Sequence, residues 1–171
     1  MSEKPRAGGS MPDIEVRRVE GGSLRTGGPG GWRLLVVYRG KHCPLCRRYL
    51  ARLEELKELY REQETEILLV SADPLEKART TKEEWGISLP LGYGLSLEAM
   101  RALGLYVSEP RSPEETDRPF AEPGAFLVTP EGRIQVVDIS NAPFARPDPE
   151  GLAKGLAFIR AKAYPVRGTL A

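Results

Sequence analysis

The fold turns on one stretch, Trp32-Arg33-Leu34-Leu35-Val36-Val37-Tyr38-Arg39-Gly40-Lys41-His42-Cys43-Pro44-Leu45-Cys46. Its first half, Trp32 to Tyr38, is a nearly continuous apolar run, the pattern of a strand covered on both faces. It stops at Gly40. Beyond the cysteines the periodicity changes: Leu45, Tyr49, Leu53, Leu56 and Tyr60 recur every three or four residues. That spacing predicts a helix from Pro44 to about Gln63 with one apolar face. A C-x-x-C pair therefore sits where a buried strand gives way to a helix.

Working outward, Ile67 to Ser71 reads as a second buried strand. Asp73-Pro74 with Glu76 predicts an N-cap, a proline in the first turn and a helix to about Trp85, closed by Gly86. Ser96 opens a shorter helix (Leu97, Met100, Leu103) that Gly104 closes. Ala125 to Val128 and Ile134 to Ile139 flank the turn Thr129-Pro130-Glu131-Gly132 and predict an antiparallel hairpin. Pro147-Asp148-Pro149-Glu150 leads into a last amphipathic helix with Leu152, Leu156, Ile159 and Ala163. Between the short helix and the hairpin, Glu109 to Pro123 carries four prolines and five acidic residues and reads as an extended loop. Upstream, Ile14, Val16 and Val19 give a weak strand signal. Gly21 to Gly31, with six of the chain's 18 glycines, reads as a turn-rich connection and not as a phosphate loop. Residues 1–12 read as a flexible tail and residues 13–171 as one domain. The order β-α-β-α-α-β-β-α, with C-x-x-C after the first long strand, is the layout of an α/β protein of thioredoxin-like type. The sheet is expected to be mixed and central in a three-layer α/β/α stack, with the antiparallel hairpin at its C-terminal end.

Composition narrows the function. The 171 residues hold 25 Lys and Arg against 24 Asp and Glu, a net charge of +1, which gives no reason to expect nucleic acid or an anionic membrane as partner. No run of about 18 apolar residues predicts a transmembrane helix. The polar start, Met1 to Pro12, lacks the apolar core of a secretory signal, so a cytoplasmic location is expected. There a C-x-x-C reads as redox-active or metal-binding. Structural zinc needs four ligands; two thiols and the lone His42 fall short, so neither metal nor cofactor is expected.

The motif carries its own chemistry. With Cys43 at the N-cap, its sulfur accepts a backbone N–H from the first turn and faces the positive end of the helix dipole. Pro44 at N1 loses no hydrogen bond. Thiols in such seats ionise at about pH 3.5–7.5 instead of about 8.5. Cys46, one turn on, is expected to be the more buried sulfur and within disulfide reach. From Gly21 to Leu53 there is no acidic residue, while Arg25, Arg33, Arg39, Lys41, Arg47, Arg48 and Arg52 are basic. Arg39, Lys41 and Arg47 lie within a few residues of Cys43 and are candidates, with His42 and Pro44, for tuning its thiolate. A Cys-His hydrolase would need His42 itself as base, an awkward geometry for adjacent residues.

Val37 to Cys46, then Val70-Ser71-Ala72-Asp73, then Pro123-Gly124-Ala125-Phe126-Leu127-Val128-Thr129-Pro130-Glu131-Gly132 together resemble the peroxiredoxin-like branch of the alkyl hydroperoxide reductase/thiol-specific antioxidant (AhpC/TSA) family, from about residue 13 to 163. The resemblance implies a thioredoxin-like sheet and reduction of peroxides or disulfides through Cys43. Departures are visible. Where such peroxiredoxins carry Pro and Thr before the reactive cysteine, this chain has Val36 and Gly40. Where they carry an Arg before the later strand, it has Pro123, similar to the cis-proline that faces the C-x-x-C of thioredoxins. Arg39 and Arg118 are candidates to supply the missing guanidinium. Three functions follow as alternatives. One is a peroxide reductase with Cys43 as nucleophile and Cys46 as resolving cysteine. The second is a thioredoxin-like thiol-disulfide oxidoreductase using the same pair. The third is a redox-regulated binding protein without turnover. Either catalyst would need an external dithiol reductant.

Overall fold

The computed structural model describes residues 4–171. The apolar run forms β3 (Trp32–Val37) at the centre of a five-stranded sheet. On one side β3 pairs in parallel with β4 (Thr65–Val70), which pairs in parallel with the short β5 (Leu91–Gly92). On the other it pairs antiparallel with β8 (Gly124–Val128), which continues antiparallel to β9 (Ile134–Ile139). The expected hairpin is thus β8–β9, with one register irregularity between Leu127 and Val128.

Alternation along β3 explains why Leu34 to Val37 are apolar without a break. Leu34 and Val36 point into one core with α1 (Pro44–Glu62), α2 (Leu75–Glu84) and α4 (Pro149–Lys162). Leu35 and Val37 point into a second core with α3 (Leu97–Ala102), Met11, Phe120 and the N-terminal segment. Both faces are covered, so Leu34 to Val37 are all apolar; the one charged residue, Arg33 near the strand's start, is buried with its guanidinium donating to Gly28 O. Of the periodic residues of α1, Leu53, Leu56 and Tyr60 are buried; Leu45 and Tyr49 are only partly so, and Leu50, outside the expected series, is buried as well. Each such side chain contributes about 1.5–3 kcal/mol of burial free energy.

Four local expectations need revision. The Gly-rich connection contains a strand, β2 (Ser23–Arg25), which pairs with β1 (Glu15–Arg17) and buries Leu24 beside Val16. A single apolar residue in three was too little signal to read. The segment expected to be a tail touches the sheet from Gly8: Gly8 N–H donates to the Ile134 carbonyl, and Met11 is buried. The N-cap of α2 is Pro74, without a side-chain cap. Asp73 is drawn instead into the loop before α1, where its carboxylate accepts the Lys41 N–H at 2.8 Å. Finally, the loop of residues 109–123 is bracketed by a small antiparallel pair, β6 (Val107–Ser108) with β7 (Phe120–Ala121). Lys77 on α2 pins its middle through Thr116 (3.1 Å) and Asp117 (3.3 Å).

Candidate active site

The turn from β3 into α1 places the cysteine pair at the C-terminal edge of the central strand. Tyr38 N–H still donates to Val70 O, and the chain then reverses at Gly40. Gly40 has φ +143, and a Cβ there would lie 2.8 Å from Asp73 Oδ1 and 3.0 Å from His42 Nδ1. This is why glycine, and no threonine, occupies the position. Cys43 follows as the N-cap, in extended conformation (φ −107, ψ 105), with Pro44 in the first turn.

Both thiols are free and almost completely buried. Cys43 Sγ accepts the Cys46 N–H at 3.2 Å. The Cys43 pKa falls to about 5: the Cys46 thiol is the main donor to it, the Cys46 N–H, Arg39 and Arg146 add to the effect, and burial opposes it. Cys46 is driven the other way, far above the usual thiol value, by burial and by the sharing of its proton with Cys43. Of the two sulfurs, Cys43 is the one whose surroundings favour the thiolate, and Cys46 the one that keeps its proton.

Two guanidinium groups face this pair. Arg39 Nε lies 2.9 Å from the buried Glu122 carboxylate, and its guanidinium rests on the Phe120 ring at 4.9 Å. Arg146 comes from the loop between β9 and α4. Its Nη2 lies 3.1 Å from Cys46 Sγ and 3.9 Å from Cys43 Sγ. Its Nε donates to Pro143 O at 2.7 Å, and the group packs on the Tyr49 ring at 5.0 Å. The loop is fastened to α1 by the Tyr49 hydroxyl on Pro147 O (2.7 Å) and, just inside α4, by Tyr60 on Pro149 O (2.6 Å).

The other expected site residues are more dispersed. His42 is half-buried edge-on against Phe120, centroids 4.6 Å apart, and burial, with Arg39 nearby, lowers its pKa to about 4. It is neutral at pH 7. Lys41 and Arg47 lean away onto Glu84, through its carboxylate (3.4 Å) and its carbonyl (3.3 Å). Arg118 is bound by the Asp117 carboxylate at 3.1 Å and is not the guanidinium at the sulfurs. Pro123 directly precedes β8, whose first residue, Gly124, pairs with Val37, and its carbonyl accepts the Ser140 N–H. No cis peptide bond occurs among the described residues, so the Glu122–Pro123 bond is trans, unlike the proline it resembles. Among the described residues no group of three or more His, Cys, Asp and Glu is placed to hold a metal.

Arg146 and Glu122 were not among the expected site residues. Arg146 lies 100 positions from Cys46, in a Pro-rich loop whose path periodicity does not encode. The one available signal was its position just before a helix N-cap, Asp148.

Fold and site together define a dithiol protein of thioredoxin-like architecture. More narrowly, the sequence matches the AhpC/TSA family over residues 7–137, and the chain belongs to that family. Solved structures of similar fold include an AhpC from Enterococcus faecalis (TM-score 0.75, 20% identity, 95% of this chain and 98% of that one). A peroxiredoxin-like protein from Aquifex aeolicus has TM-score 0.76 at 12% identity, covering 92% and 90%. A mutant of peroxiredoxin 6 from Arenicola marina has TM-score 0.75 at 16% identity, covering 92% and 74%. By sequence, the thiol-disulfide oxidoreductase ResA of Halalkalibacterium halodurans is 28% identical over 101 residues, 58% of this chain. The match spans only 57% of that relative's length. No helix among the described residues is long and apolar enough to cross a membrane.

Proposed function

We propose that this protein is a thiol-dependent oxidoreductase that reduces peroxides through Cys43. The observation that carries this reading is the Cys43 sulfur seated as a helix N-cap between two guanidinium groups. A thiolate poised this way attacks one oxygen of a peroxide, ROOH. The O–O bond breaks, Cys43 becomes a sulfenic acid, and RO⁻ leaves to take a proton from solvent as ROH. Arg39 and Arg146 offset the negative charge that moves from sulfur to the leaving oxygen. Cys46 then attacks the sulfenic sulfur, releasing water and forming the Cys43–Cys46 disulfide. An external dithiol reduces that disulfide by two thiol exchanges and leaves as its own disulfide. Such a cycle suits a reducing compartment such as the cytoplasm.

A second reading, disulfide exchange with a protein substrate, draws support from the likeness to ResA. There Cys43 attacks a substrate disulfide, and Cys46 resolves the mixed species. Mixing reduced protein with micromolar peroxide in a stopped-flow instrument separates the two. Loss of thiols within seconds supports peroxide reduction. Slow oxidation beside rapid reduction of insulin disulfides overturns it.

A further inference from the structure

The contacts of Arg39 raise a question the proposed cycle leaves open. Its guanidinium is the nearer of the two to Cys43 in sequence; the turn it comes from is held by backbone bonds at Tyr38 and Lys41, but those leave the long Arg39 side chain unplaced. What fixes it is Glu122. The ion pair is well buried, with 19% of the Arg39 side chain and 6% of the Glu122 side chain exposed. Glu122 is itself anchored twice: its Oε1 accepts the Ser108 hydroxyl at 2.7 Å, and its N–H donates to Tyr106 O at 2.8 Å. Ser108 lies in β6 and Tyr106 directly before it, so both anchors sit at the β6–β7 bracket, outside the main sheet. Phe120, two residues before Glu122, supplies the ring on which Arg39 lies.

We propose that Glu122 is a positioning residue: it holds the Arg39 guanidinium at the Cys43 sulfur, and the β6–β7 bracket holds Glu122. The assignment rests on the reading of Cys43 as the reacting thiolate. It has a sign that simple electrostatics does not share. A buried carboxylate near a thiol disfavours the thiolate by like-charge repulsion, so removing it should lower the Cys43 pKa. If the carboxylate instead keeps Arg39 in place, removing it frees the guanidinium to turn to solvent, and the Cys43 pKa rises. Lost support from a nearby opposite charge is worth about one pH unit or more.

The test follows Cys43 alkylation by iodoacetamide against pH, with the modified residue assigned by mass spectrometry. In Glu122→Gln, which keeps an oxygen for Ser108 but loses the charge, the alkylation midpoint is expected to rise by about one unit. Arg39→Met should raise it similarly, and the double variant should rise no further than Arg39→Met alone. Ser108→Ala should move the midpoint in the same direction by less, and it carries the sign of the effect should Glu122→Gln fail to fold. A midpoint that falls or stays put overturns the assignment. So does a Glu122→Gln shift that persists undiminished in the Arg39→Met background. Peroxide turnover is not the readout, so a protein that ignores peroxide yet shows the coupled shift supports this role while refuting the peroxide cycle.

Discussion

Arg146 Nη2 stands 3.1 Å from Cys46 Sγ and 3.9 Å from Cys43 Sγ, so one guanidinium reaches both sulfurs of a motif 100 residues earlier in the chain. Negative charge passes between those sulfurs in any dithiol cycle. A cation shared by both favours the charged form whichever sulfur carries it.

Replacing Arg146 with Met is therefore expected to slow the reaction of Cys43 with hydrogen peroxide by about tenfold or more, because the charge moving onto the leaving oxygen loses one of its two guanidinium donors. The same change removes the stacking on Tyr49, worth about 0.5–1 kcal/mol, and should lower Tm by about 1–4 °C. Arg146→Lys should recover little, because an ammonium cannot present two N–H donors in one plane. Stopped-flow thiol loss and calorimetry check the two effects. An unaltered rate with a lowered Tm would assign Arg146 to stability alone.

The pH profile follows from Cys43. With a pKa near 5, peroxide reactivity should be flat from about pH 8 to 6 and fall below 5. Stability should follow the same direction. The folded pKa lies below that of the unfolded thiol, so the thiolate stabilises the fold above the unfolded value, and this is lost as pH falls through about 5. His42 adds to the loss, since its folded value near 4 lies below the ordinary 6.5. Urea titrations of reduced protein and Cys43→Ser at pH 8 and pH 5 should differ in slope with pH. Parallel pH dependences would refute the depressed thiolate.

Cys46→Ser should trap the first product. After one equivalent of peroxide, intact-mass analysis should show Cys43 gaining one oxygen, with no internal disulfide. A covalent adduct with a disulfide substrate, and no oxygen adduct, would favour the exchange reading.

Gly40→Ala tests the turn itself. The added methyl would sit 2.8 Å from the Asp73 carboxylate, at a φ that L residues rarely adopt. A loss of about 1–3 kcal/mol is expected in chemical denaturation. The Cys43 alkylation midpoint should move as the Lys41 N–H leaves Asp73.

Much of this molecule could be read from its sequence because the decisive signals are local. The run Leu34 to Val37 required two covered faces, and Leu53, Leu56 and Tyr60 declared the buried stripe of α1. The seat of Cys43 followed from capping alone. What escaped was brought together by tertiary packing: Arg146 from the far side of β9, and Glu122 beside a proline read for its likeness to another fold's cis bond. β2 was missed because only Leu24 of its three residues is buried. Asp73 was misread because its strong N-cap pattern competes with a use that only tertiary packing supplies, the N–H of Lys41, 32 positions earlier.

Cys43 and Cys46 occupy the N-cap and the third position of one helix, within a single turn. In the proposed cycle, bond closure therefore asks for a side-chain rotation and little else. Nothing must melt before the sulfurs meet, and nothing must refold before the next round. With both sulfurs almost completely buried, the pace of such a machine would be set by how its reactants reach them and not by the closing of the ring.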